Sequence, residues 1–139
     1  MQDLPDFEEL LAAVRRFIEE EAVPAMPDQR LRFRARIAAN LLGILGREAA
    51  LGRSLLEGER RRLESLLGVE ICSTPLGSPE DLPRRVEELN RELARRIRTG
   101  EIDASPGGAL WEHLRLTAVE KLRIANPGFL DRLGGSKGP

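Results

Sequence analysis

The chain has 139 residues, 41% hydrophobic and 32% charged, with 22 Lys and Arg against 23 Asp and Glu and a formal net charge of −1. That length suits one domain with a real core, and the balance excludes both the composition of disorder and a global positive field that would gather nucleic acid or anionic lipid. A single cysteine, Cys72, and a single histidine, His113, exclude an intrachain disulfide and the common His/Cys zinc clusters, so neither metal nor cofactor is expected.

The start of the chain is acidic and lacks a basic segment followed by an apolar one, so no secretory signal is expected. No run reaches the roughly 20 apolar residues that span a bilayer. The expected compartment is the cytoplasm, with no membrane and no nucleic-acid partner. Leu, Ala, Glu and Arg dominate, Tyr is absent, and apolar residues recur at spacings of three and four. The pattern predicts an all-α protein, an up-and-down bundle of four long helices plus one short helix. The expected organisation is a single domain over residues 1–133 with a disordered tail over 134–139.

The first helix is expected after a capping Asp3, with Pro5 in its first turn and Pro24 and Pro27 ending it. Phe7, Leu10, Leu11, Val14, Phe17 and Ile18 form its expected buried face. A second helix is expected over 28–51, stopping at a left-handed Gly52. Its middle, from Ile37 to Leu45, is apolar nearly all round and belongs in the centre of a bundle. Ala39, Gly43 and Gly46 make a small-residue strip that lets a neighbouring helix come close.

A short third helix is expected over 55–67, with Leu56, Leu63, Leu66 and Leu67 inward and Gly68 as its stop. Gly68 to Gly77, containing Cys72, reads as a loop. Ser78-Pro79-Glu80-Asp81 then supplies a cap, a proline suited to the first helical position and acid for the first turn. The fourth helix runs to Thr99 and closes at Gly100, burying Leu82, Val86, Leu89, Leu93 and Ile97. After a turn at Ser105-Pro106-Gly107-Gly108, the fifth covers 109–125 and buries Trp111, Leu114, Ala118 and Leu122, with Leu110 a further candidate. Asn126-Pro127-Gly128 stops it, and Phe129, Leu130 and Leu133 fold back on the bundle.

Two polar stripes are the candidate sites. Arg36 and Asn40 sit four apart, with Glu48 two turns beyond Asn40, on the helix expected to be central. Buried there, they need partners, as a network joining helices or as a ligand site, and the network is favoured. His113, Thr117 and Lys121 recur every four residues along the fifth helix; they form either a boundary between core and solvent, the favoured reading, or an anion-binding or proton-relaying edge. Asn90 and Asn126 are placed to join either arrangement. A phosphotransfer role for His113 is disfavoured, because Leu-Arg-Leu follows it without the Lys-Gly such domains carry.

The arginines at 60–62 and along the fourth helix are interleaved with Glu57, Glu59, Glu64, Glu87, Glu88 and Glu92 and lack aromatic neighbours, which reads as a solvated face. Cys72 has no activating neighbour in sequence. Phosphate-loop, dinucleotide and serine-elbow motifs are missing, so no catalytic residue is assigned.

The stretch Phe33 to Asn40, Leu89-Asn90 with Ile97 to Gly100, and His113-Leu114, Thr117, Lys121-Leu122, Ile124 and Asn126-Pro127 resemble a bacterial family of short helical proteins of unknown function. Its members occur beside or fused to aminoglycoside-phosphotransferase-like kinases and near acyl-CoA dehydrogenases. The resemblance implies a helper in acyl-CoA metabolism rather than the enzyme itself. A full set of amphipathic helices without a reactive constellation points to a non-enzymatic interaction module that docks onto such a kinase-like or dehydrogenase partner, with a homodimer as a further option. The alternative is a ligand-binding or catalytic site between helices around Arg36, Asn40, Glu48, His113 and Lys121.

Overall fold

A computed structural model describes residues 5–69 and 81–135, and among them every regular element is helical. In chain order these are α1 (Phe7–Phe17), a π-helical turn (Ile18–Ala22), α2 (Val23–Ala25), α3 (Gln29–Leu67), α4 (Asp81–Thr99), α5 (Ala109–Ala125) and α6 (Pro127–Gly135). The all-α class expected from composition holds. The chain divides inside α3 into two compact units, Met1–Gly52 and Arg53–Pro139.

In the first unit, α1 opens with a reciprocal capping box: Asp6 Oδ1 accepts from the Glu9 N–H at 2.8 Å and Glu9 Oε2 from the Asp6 N–H at 3.0 Å. Asp6 therefore caps the helix, and the expected cap at Asp3 lies outside the described residues. Pro24 does not end the helix. It cannot donate to the carbonyl four residues back, and the turn before it widens, the Val23 N–H reaching Ile18 O. Helical backbone continues to Ala25, and Met26 is extended ahead of Pro27.

The small-residue strip does admit a neighbour, and the neighbour is α1. Ala39 is completely buried, a Cβ on Gly43 would stand 3.1 Å from Arg15 Nη1, and one on Gly46 would stand 4.0 Å from Leu11 Cδ1. The remaining apolar positions of this unit depart from expectation. Phe7, Leu10, Val14 and Phe17 are exposed, and so are Ile37, Leu41 and Leu45 on the helix expected to be central. Only one side of that segment is covered, because α1 packs on the strip and leaves the opposite side in water.

Gly52 is not a stop. Its φ is not positive, and α3 passes through it without interruption, so the expected second and third helices are one. A mid-helix glycine costs about 1 kcal/mol relative to Ala, less than the helical preference of the Ala-, Leu- and Arg-rich sequence around it. Gly68 and Gly100 are true stops, at φ 63° and 75°. Each closes a Schellman pair: Val69 N–H to Glu64 O with Gly68 N–H to Ser65 O, and Glu101 N–H to Arg96 O with Gly100 N–H to Ile97 O. Arg96 of α4 adds a bond of 2.8 Å from Nη1 to Leu67 O, pinning the end of α3.

The second unit holds the buried cluster. Leu63 and Leu67 of α3, Leu82, Val86, Leu89 and Leu93 of α4, and Leu110 of α5 form it, with Leu56, Leu66, Val69 and Ile102 packed against it. The expected face of α4 is correct apart from Ile97, which is exposed. On α5 the buried face is turned. Leu110 and His113 are inside, whereas Trp111 and Leu114 stand half in water, the Trp111 indole N–H donating to Ala104 O at 3.1 Å. Helix α6 was not expected. Phe129 and Leu133 are exposed rather than folded back, with the Arg132 guanidinium over the Phe129 ring, and only Leu130 is half-buried. The segment 70–80, with Cys72 and the Ser78-Pro79-Glu80 start signal, lies outside the described residues, as do the last four positions of the expected tail.

Candidate functional site

In the second unit, α3, α4 and α5 bring together a layer of polar side chains beside the leucine cluster. Glu59 is buried and accepts from Asn90 Nδ2 at 3.0 Å, tying α3 to α4. Arg62 of α3 pairs with Glu120 of α5 through both guanidinium nitrogens, one bond measuring 3.0 Å. His113 is 4% exposed, and its Nδ1 and the Thr117 Oγ1 are buried without a hydrogen-bond partner. A recess of about 560 Å³ beside them is lined by Arg61, Arg62, Ser65, Leu66, Glu112 and His113, among others.

On the opposite flank of α3, Glu64 is completely buried, with Arg60 Nη1 at 2.7 Å and Arg85 Nε at 3.7 Å. The expectation that this charged stretch is a solvated face is therefore half right. Arg61 and Glu57 form an exposed pair, but Glu59 and Glu64 are interior. Their positions are legible in retrospect: Glu59 lies three after Leu56 and four before Leu63, and Glu64 lies three before Leu67, so each falls on the buried arc.

The two expected polar stripes fare differently. Arg36, Asn40 and Glu48 are all exposed on α3 in the first unit, so they form no buried network. Arg36 lines a shallow recess with Glu19, Val23, Pro24 and Arg32. His113, Thr117 and Lys121 line one edge of α5, buried, half-buried and exposed in turn. Asn90 serves the interior and Asn126 is the exposed cap residue of α5. No group of three or more His, Cys, Asp or Glu is placed to hold a metal among the described residues.

Burial holds the His113 imidazole below its ordinary value of 6.5; Arg62 pushes the same way, against Glu59 and Glu120. The ring is thus neutral in the folded protein, while in the unfolded chain it takes up a proton near 6.5. Protons then favour unfolding, so the melting temperature is expected to fall as the pH drops from 7 through 6.5 and to level off below the folded value. Other depressed groups act elsewhere: hydrogen bonds from Arg95 and Arg96 lower Glu92 from 4.5 to about 2, and Glu101 and Glu112 are lowered by Arg95 and Arg115. Because the chain has one histidine, His113→Gln should abolish this fall as the pH drops through 6.5. A melting curve with the same slope in both proteins would refute the assignment.

The bonds in this layer run mostly between its own members, which is the pattern of an internal brace. A different kind of surface lies in the first unit, where α1 has no buried residue and shows Phe7, Leu10, Val14 and Phe17 to solvent. No helix among the described residues is long and apolar enough to cross a membrane.

Residues 24–129 match the model of a family described as a domain of unknown function, DUF6285, and the chain belongs to that family. No curated protein and no solved structure matches it. The matched residues include α3, α4 and α5, whereas α1 lies outside them.

Proposed function

We propose that this member of the DUF6285 family is a non-enzymatic docking module, accessory to a kinase-like or acyl-CoA-metabolising partner in the cytoplasm. The observation that carries it is α1. The helix is firmly started by its capping box and anchored through Leu11, Ile18 and the buried Val23, yet its other apolar side, Phe7 to Phe17, faces water. Contiguous apolar area held in solvent on a rigid element marks a binding surface, and residues spaced three and four apart suit a groove on another protein. The partner class rests on the resemblance to proteins found beside kinases and dehydrogenases of that kind. The His113 layer supports a ligand site less well, since Arg62 is already paired with Glu120 and Glu59 with Asn90 across helices.

Titration calorimetry of the full chain against the aminoglycoside-phosphotransferase-like kinase and the acyl-CoA dehydrogenase of the same cell tests this. One of the two is expected to bind, and replacing Val14 and Phe17 together by Ser to weaken binding about tenfold or more, as loss of buried apolar anchors does. Both positions are exposed, so the circular-dichroism spectrum should stay helical. Absence of heat with either protein would count against the partner class, and binding indifferent to Val14 and Phe17 would count against the surface.

A further inference from the structure

The first half of α3 is apolar on two opposite sides, and α1 occupies only one of them. At 100° per residue, Ile37, Leu41 and Ile44 point away from the Ala39, Gly43 and Gly46 strip, with Phe33 and Leu45 on their shoulders. Phe33 is 65% exposed, Ile37 45%, Leu41 53% and Leu45 54%. Arg34, Ile37, Leu41, Ile44 and Glu48 alternate at three and four residues, the spacing of a seam between two long helices. The seam ends in opposite charges: Arg30 and Arg34 at its start, Glu48 at its finish. All three are exposed, and none has an ion-pair partner among the described residues.

We propose that this seam is closed by a second copy of the chain, its α3 running antiparallel with the two-fold axis at the level of Ala39. Positions equidistant from Ala39 then meet. Ile37 lies against the partner's Leu41 and Arg34 lays its aliphatic stem along the partner's Ile44, while Phe33 and Leu45 cover the two flanks of the seam. Arg30 and the partner's Glu48 pair at both ends, about 27 Å apart along the axis at 1.5 Å per residue. The stripe is thus complementary to itself in both shape and charge. A parallel pairing would set Arg30 against Arg30 and Glu48 against Glu48, so the charges choose the orientation.

The area is in keeping with a real but modest interface. Covering the four half-exposed side chains on both copies removes roughly 800 Å² of apolar surface, and the stems of Arg30 and Arg34 with Ile44 carry the total toward the lower edge of stable interfaces, about 1,200 Å². Dimerisation in the micromolar range is the consequence. The proposal goes beyond the docking reading and uses another helix, so either can fail alone.

Sedimentation equilibrium of the full chain, from low to high micromolar, is the test. The expected result is a reversible monomer–dimer equilibrium that Arg30→Glu or Glu48→Arg weakens about three- to tenfold each, since like charges then face each other at both ends. The two changes combined should restore the original affinity, and Leu41→Glu should leave only monomer with its helical spectrum intact. A wild-type chain of monomer mass throughout would overturn the pairing without touching the α1 assay. A dimer insensitive to Leu41→Glu would overturn the surface, and charge reversals that fail to rescue one another would overturn the antiparallel register.

Discussion

Glu64→Ala should destabilise the folded chain by about 3 kcal/mol or more in urea unfolding, because it strips a buried charge of its counter-charge. Glu64 has no exposed surface, and Arg60, whose side chain is 12% exposed, donates to it at 2.7 Å. Taking the carboxylate away strands the Arg60 guanidinium, whose Nε already lacks a partner. Arg85, at 3.7 Å and 30% exposed, can swing toward water and softens the loss. Glu64→Gln removes the same counter-charge but keeps the volume and an acceptor for Arg60, so it should cost less than Glu64→Ala, about 2 kcal/mol. Arg60→Ala with Glu64→Ala should cost clearly less than the sum of the two single changes, since the second removes a charge that the first left unpaired. A loss below about 1 kcal/mol for Glu64→Ala would mean that the pair contributes nothing net, as many exposed pairs do.

The fold class and the helix ends set by local chemistry were readable without coordinates. Gly68 and Gly100 follow leucine- and arginine-rich turns and close them in the left-handed region, and Leu82, Val86, Leu89 and Leu93 form the inner face that their spacing requires. Gly52 misled because a glycine stops a helix only where the chain turns; between Leu51 and Arg53 nothing obliges it to. The exposure of Ile37, Leu41 and Leu45 was hidden for a related reason. Periodicity shows that a side is apolar, not whether the same chain covers it.

The candidate site was less legible still. Glu59 and Glu64 sit among residues that pair readily on a helix surface, and only the arrival of Asn90 and Arg85 from α4 makes them interior. His113 stood out because it is the single histidine, but its burial on α5 follows from how the helix is turned, which spacing alone does not give. Arg36, Asn40 and Glu48 stood out on the premise that their helix was central. Once that premise fails they become solvent-facing charges and an amide, and Glu48 gains its meaning from Arg30 on the same side of α3.

Leu63→Ala should be the most damaging apolar change, costing about 3–5 kcal/mol, the upper part of the range for buried leucines. Leu63 has no exposed surface, and its cluster draws on α3, α4 and α5 together. Three helices pinned by Arg96 on Leu67 O and by the Arg62–Glu120 pair cannot easily collapse into the cavity. Leu41→Ala is the matching control, the same residue type in the same helix, half in water. In dilute solution it should cost under about 1 kcal/mol, because little buried area is lost. If α3 is the seam between two copies, that cost must grow with protein concentration, as the wild type gains stability from association that the variant lacks. Leu63→Ala should show the same loss at every concentration, so the pair of leucines separates the core of the second unit from the open side of the first.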